Sequence, residues 1–163
     1  MKKNLIISLY FVLTLVSCAT LQERAERKEQ MKKAVAEAVA TMQMHIDITS
    51  MNTMRYGSRT VTSDFYLELK GDSVISYLPY LGQAYRAPMM SPPQGLNFVT
   101  KARSISVTQP KTDHSRIELD IKTDEDTYNY VIELYDSGKA HIHVHSQLRD
   151  PISFDGEFVP KEN

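Results

Sequence analysis

Tryptophan is missing from this chain, and cysteine occurs once, at Cys18. A lone thiol forms no disulfide within the chain and excludes cysteine-built zinc sites and paired-thiol redox chemistry. No charge of one sign dominates. Lys and Arg number 19 against 20 Asp and Glu, a net charge of −1, so there is no basic field to hold nucleic acid. A phosphate-cradling glycine loop, a dinucleotide fingerprint, an HExxH helix and a nucleophile elbow are all absent, which removes their enzyme classes. Paired carboxylates of the glycosidase kind leave no such signature, and nothing singles out a pair. The one largely apolar run, Leu5 to Val16, is about a dozen residues, short of the roughly 20 that cross a bilayer as a helix.

That run is informative in another way. Lys2 and Lys3 precede it, and Leu15-Val16-Ser17-Cys18 follows it. A positive start, a short apolar middle and small residues before a cut are the pattern of an export signal. The final tetrapeptide resembles a bacterial lipobox, with the only cysteine at the position that is acylated. Residues 1–17 are therefore expected to be removed and Cys18 to carry the membrane anchor. Several acyl chains hold a protein far more firmly than one.

Residues 18–33 then read as a charged stem. Thr20 to Glu23 matches a capping box, and Glu23 with Arg27 and Glu29 with Lys33 are spaced as helical ion pairs. Apolar periodicity follows at Met31, Val35, Ala38, Val39 and Met42, one face of a helix that needs a surface to cover.

From His45 the period changes to two. His45–Thr49 alternates, and Met51 to Gly57 reads as a loop. Phe65, Leu67 and Leu69 share a face before the Gly71-Asp72 hairpin signal. Ile105 and Val107 alternate with serines, and Gln109 to His114 reads as a turn. Ile117, Leu119 and Ile121, then Tyr128, Tyr130, Ile132 and Leu134, then Ala140, Ile142 and Val144, then Ile152 and Phe154 are further inward sets. Gly156 is expected at a bulge or a crowded contact. Short strands joined by turns make a meander, so the sheet is antiparallel. The expected fold is α+β: one domain over 34–159 with a short tail, its N-terminal helix packed on a curved, mainly antiparallel sheet of about seven to nine strands. A closed β-barrel or a small sandwich is the alternative.

Two groups of residues are candidates for chemistry. Leu78 to Pro88 is aromatic, rich in turn residues and irregular, and Tyr77, Tyr80, Tyr85 and Arg86 offer apolar faces with hydrogen-bonding tips to a ligand or partner. The same residues also suit a corner of the core, with Gly82 expected to take a backbone conformation that a β-branched residue cannot. His141, His143 and His145 alternate along one strand and project to one face, the spacing of two zinc ligands awaiting a third from elsewhere; a solvent-facing polar strand is the plainer reading. Asp120, Asp124, Glu125 and Asp126 do not follow a calcium-loop spacing and read as a solvated turn.

Leu78-Pro79-Tyr80-Leu81-Gly82-Gln83-Ala84-Tyr85, Gly95-Leu96-Asn97-Phe98 and Ile152-Ser153-Phe154-Asp155-Gly156 together resemble the domain of unknown function 4251 family. Its members are Bacteroidetes proteins that commonly carry lipoprotein signals. The resemblance covers roughly residues 34–159 and assigns no catalytic residue. It implies an exported, lipid-anchored protein. Ala19-Thr20-Leu21-Gln22 lacks the acidic residues typical of surface-displayed lipoproteins of that phylum, which places it on the periplasmic face of the outer membrane. The function expected is a non-catalytic binding or interaction module, more an envelope protein than an enzyme, with no cofactor and no nucleic acid. Its partners are the membrane through Cys18 and an envelope protein or small molecule. A periplasmic small-molecule binder or hydrolase with a cleft lined by residues 78–88, and a structural envelope protein with no ligand, are the alternatives.

Overall fold

The computed structural model describes residues 2–62, 64–85 and 95–161, with side chains from Leu21 onward. One helix, α1 (Lys2–Thr41), leads into nine strands: β1 (Gln43–Thr53), β2 (Gly57–Thr60), β3 (Tyr66–Lys70), β4 (Ser73–Leu78), β5 (Leu96–Lys111), β6 (His114–Lys122), β7 (Thr127–Tyr135), β8 (Lys139–Ser146) and β9 (Ile152–Val159). All their pairings are antiparallel, and β1 also pairs with β9, from His45↔Val159 to Thr53↔Ile152. That pairing closes the sheet into an eight-stranded barrel, with β2 added along β1 beyond β3. Closure removes most of the open edges that an antiparallel sheet exposes.

Alternation fills the inside. Ile46, Leu67, Leu69, Leu78, Ile117, Leu119, Ile121, Ile132, Leu134 and Phe154 are all essentially inaccessible. Tyr130 lies among them, its hydroxyl 3.1 Å from Ser76 Oγ, which in turn donates to Leu96 O at 2.6 Å. Burial drives the Tyr130 pKa upward, so it stays a neutral phenol. The barrel therefore has a solid interior, as small barrels do.

α1 closes one end. Val35 and Ala38 are buried, with Met31, Ala34, Val39 and Met42 half-buried against the core. The stripe packs because its partners are small: a Cβ at Gly138, in the β7–β8 turn, would stand 2.9 Å from the Met31 sulfur. Lys32 reaches Asp136 in the same turn at 3.0 Å. At the other end of α1, Met42 takes a positive φ of 51° and its carbonyl accepts the Gly71 amide at 2.8 Å. The helix thus spans the opening from the β3–β4 turn to the β7–β8 turn. Residues 21–30 are exposed on every side, a stem of about 15 Å at helical rise.

Two connections are shorter than alternation suggests. β1 continues through Met51–Thr53, where side chains stop alternating but the backbone pairs on both edges, with β9 and β2. The turn there is confined to residues 54–56. β5 likewise runs through Gln109 and Pro110 to Lys111, which pairs with His114. A register irregularity between Thr108 and Lys111 accommodates the proline. Gly156 does sit in a crowded contact: an added Cβ would strike the Asp47 carbonyl, opposite the bulge between Ile48 and Ser50.

Candidate functional site

The barrel end opposite α1 gathers three connections: the β1–β2 turn, the segment after β4, and the β8–β9 connection. Residues 81–85 leave β4 and run against 148–150. Tyr85 donates its amide to Leu148 O at 2.7 Å, Asp150 donates to Gln83 O at 3.0 Å, and Ala84 bridges Arg149. Side chains complete the knot. The Asp150 side chain is 4% exposed and accepts from Arg55 Nε at 2.8 Å, from the Gln83 amide at 3.1 Å and from the Tyr85 hydroxyl. Donation by Tyr85, then by Arg55 and Gln83, lowers its pKa to about 2. Tyr80 lies deeper. Its hydroxyl is 3.0 Å from Gln83 O and 3.2 Å from Asp150 O, and burial next to Asp150 pushes its pKa up to about 12.

Arg149, 7% exposed, sits beneath this segment. It donates to Gly95 O at 3.1 Å and to Glu125 at 3.2 Å, and its guanidinium lies 5.3 Å from the centre of the Tyr80 ring. Glu125 pairs with it while staying exposed to solvent, and Asp124 in the same turn is exposed too. Asp126 is buried, accepting from the Thr127 amide at 2.7 Å and from the Ser146 hydroxyl. Gly82 takes no positive φ. Its requirement is space: a Cβ there would lie 2.6 Å from the Tyr80 hydroxyl and 2.9 Å from the ring carbon that bears it.

Tyr80 and Tyr85 therefore fasten the loop, whereas Tyr77 belongs to another surface. Tyr77 points outward from β4, 43% exposed, with its ring 5.3 Å from Phe65 and 5.8 Å from Tyr66. His45 stacks on Tyr66 at 4.9 Å. Cross-strand pairing sets Ile75 beside Val99, which is 71% exposed. This is an apolar, aromatic strip on the outer wall of β3, β4 and β5. Arg86 lies outside the described residues, as do Pro88, Pro92 and Pro93.

The histidines lie on the outer face of β8 without converging. His141 and His143 meet edge to face at 4.4 Å between ring centres, and His145 stands exposed beyond them. His141 Nδ1 is 2.6 Å from Asp155 Oδ1, and Ser50 and Asn52 donate to Asp155 Oδ2 at 2.8 and 3.0 Å. Burial works to raise the Asp155 pKa, and the hydrogen bonds from Ser50, His141 and Asn52 outweigh it, so it is lowered. Burial and the neighbouring His141 lower the pKa of His143. No group of three or more His, Cys, Asp or Glu is placed to hold a metal ion among the described residues. Nor is this a nucleophilic triad. Ser50 bonds the carboxylate, whereas activation requires the hydroxyl to face the imidazole. His141 and Asp155 line an open groove of about 550 Å³ with Thr49, Tyr135, Lys139 and Glu157.

Asp150, Arg149 and Arg55 carry no periodic signal. The only hint is a charged pair before Pro151 in a hairpin connection, a turn signature. Their partners come from connections about 25 to 95 residues away, which no local pattern links.

Comparison with known proteins bears on the fold. A crystal structure of a DUF4251 family protein from Bacteroides eggerthii superposes with a TM-score of 0.58 at 12% identity, over 80% of this chain and 87% of that one. At that identity the likeness shows the fold alone. Among curated proteins, none matches. The family model for the domain of unknown function DUF4251 matches residues 26–158, from the exposed stem of α1 to the end of β9. The chain is a member of that family.

Proposed function

We propose that this protein is an exported lipoprotein of the bacterial envelope, acylated at Cys18 and held on the periplasmic face of the outer membrane. Its barrel serves there as a non-catalytic interaction module. The observation that carries the module reading is the contrast between inside and outside. The interior is filled by fully buried side chains, so recognition falls to the outer wall. That wall presents the Tyr66, Tyr77 and Val99 strip, backed by Phe65 packed against the core beside Tyr77, and partner contacts favour such rigid aromatic anchors. Tyr80 and Tyr85 are engaged in fastening their own loop, which supports a structural role for that segment. The stem of α1 supports anchoring: it is exposed all round, stands between Cys18 and the barrel, and would hold the wall clear of the lipid.

Site-specific photocrosslinking in living cells tests the module reading. A photoreactive residue at position 77 or 99 should give discrete protein adducts in the envelope fraction, and one at Lys122, on β6, should not. Adducts at none of the three positions, or the same smear at all of them, would reject the outer wall as a contact surface.

A further inference from the structure

The two halves of β5 have different neighbours. Over Leu96–Lys101 it pairs with β4 on one edge. From Ser104 to Lys111 it pairs with β6 on the other, and among the described residues no strand lies against the edge that β4 has left. Residues 106–111 are all exposed, so α1 leaves this edge open. An uncovered edge is a template for another strand.

The groups it offers follow from chain geometry. In a strand, the side to which a residue sends its N–H and C=O is tied to the face its side chain takes. Ala102 faces inward and donates its amide to Asp72 O at 2.8 Å, on the β4 side. A bulge at Arg103 then shifts the pattern by one residue. Ile105 and Val107, opposite the inward Leu119 and Ile117, become the inward residues. Their amides and carbonyls therefore point to the open edge, while Ser104, Ser106 and Thr108 serve β6. Val107 is 45% exposed, leaving an apolar foothold beside the free backbone groups. Pro110 ends the edge, because it has no amide to offer.

Charge selects the occupant. β5 contains Lys101, Arg103 and Lys111 and no acidic residue from Leu96 to Lys111. Lys101 is paired with Asp72 at 2.9 Å, but a second copy pairing antiparallel over Ser104–Gln109 would bring Arg103 of each chain beside Lys111 of the other, a like-charge contact. We propose that the open edge of β5, from Ser104 to Gln109, is a docking edge for an extended acidic segment of a partner protein, added as one more antiparallel strand. The backbone of Ile105 and Val107 supplies the hydrogen bonds, and Arg103 and Lys111 the charge match. This deepens the interaction-module reading, on which it rests, by naming where the partner chain lies.

The test uses the purified protein and a short, end-labelled peptide alternating glutamate and valine, followed by fluorescence anisotropy at low salt. The peptide should bind, and a lysine–valine peptide should not. Val107→Pro, which removes an edge amide and leaves the β6 ladder intact, should weaken binding at least about tenfold. The double variant Arg103→Glu/Lys111→Glu, read with circular dichroism to confirm folding, should do the same and should accept the lysine–valine peptide instead. Equal binding of both peptides by the native protein, or no effect of Val107→Pro, would overturn the proposal. So would a concentration-dependent dimer that Val107→Pro dissolves, since the occupant would then be a second copy. Loss of the peptide result with crosslinks at position 77 intact removes the edge and leaves the module standing. Peptide binding without envelope crosslinks keeps the edge and removes the module.

Discussion

Gly82 shows how a residue can be singled out correctly and for the wrong cause. Its place between tyrosines in an irregular segment marks it as constrained, and the expected constraint was backbone conformation. Its φ is ordinary, and the constraint is the Tyr80 ring lying where a Cβ would go. Tyr80 cannot simply swing away, because its hydroxyl is tied to Gln83 O and Asp150 O and its face covers Arg149. Gly82→Val should therefore lower the melting temperature by several degrees, the scale of a 1–3 kcal/mol overpacking cost. Gly82→Val in a Tyr80→Leu background should cost clearly less. Thermal denaturation of the four chains checks this; equal losses in both backgrounds would mean the ring is not the obstacle.

At the scale of elements, the strands were legible because alternation is local: each inward set of β6, β7 and β8 can be read from its own residues. The ends of β1 and β5 were not. Their last residues belong to strands because neighbours pair with them, which their own side-chain pattern does not record: β2 and the distant β9 hold the end of β1, and β6, just across a tight hairpin, holds the end of β5 past an irregularity at Pro110. The same holds for the barrel end, where one carboxylate ties three connections together. Asp150 has a folded pKa of about 2, below the unfolded value of about 3.9. Its stabilising contribution is thus complete above about pH 4 and is lost as the pH falls toward about 2. Asp150→Asn should be less stable than the native chain at neutral pH, and the difference should shrink as the pH falls through that window. Urea melts at neutral and acidic pH measure it; a constant difference would show that Asp150 acts through its shape and not its charge.

For the whole molecule, the α+β class, the helix docking on a curved sheet and the antiparallel meander were readable from periodicity. Closure was not, because it depends on His45 meeting Val159 and Thr53 meeting Ile152, a pairing that strands of either an open or a closed sheet would allow. The histidine row was visible in the sequence, whereas Asp155, which accepts from His141 Nδ1 and from Ser50 and Asn52, was not. The function proposed for a solid barrel with an aromatic outer strip and a charged helical stem is to present that wall away from a lipid anchor. That account stands on Cys18. Intact-mass and N-terminal peptide analysis of the protein extracted from host membranes tests it most directly. The account predicts a chain that begins at Cys18 and carries acyl chains on that residue, and a Cys18→Ser variant that is neither cut there nor acylated. A native chain still starting at Met1, or one cut at Cys18 without acylation, would contradict it.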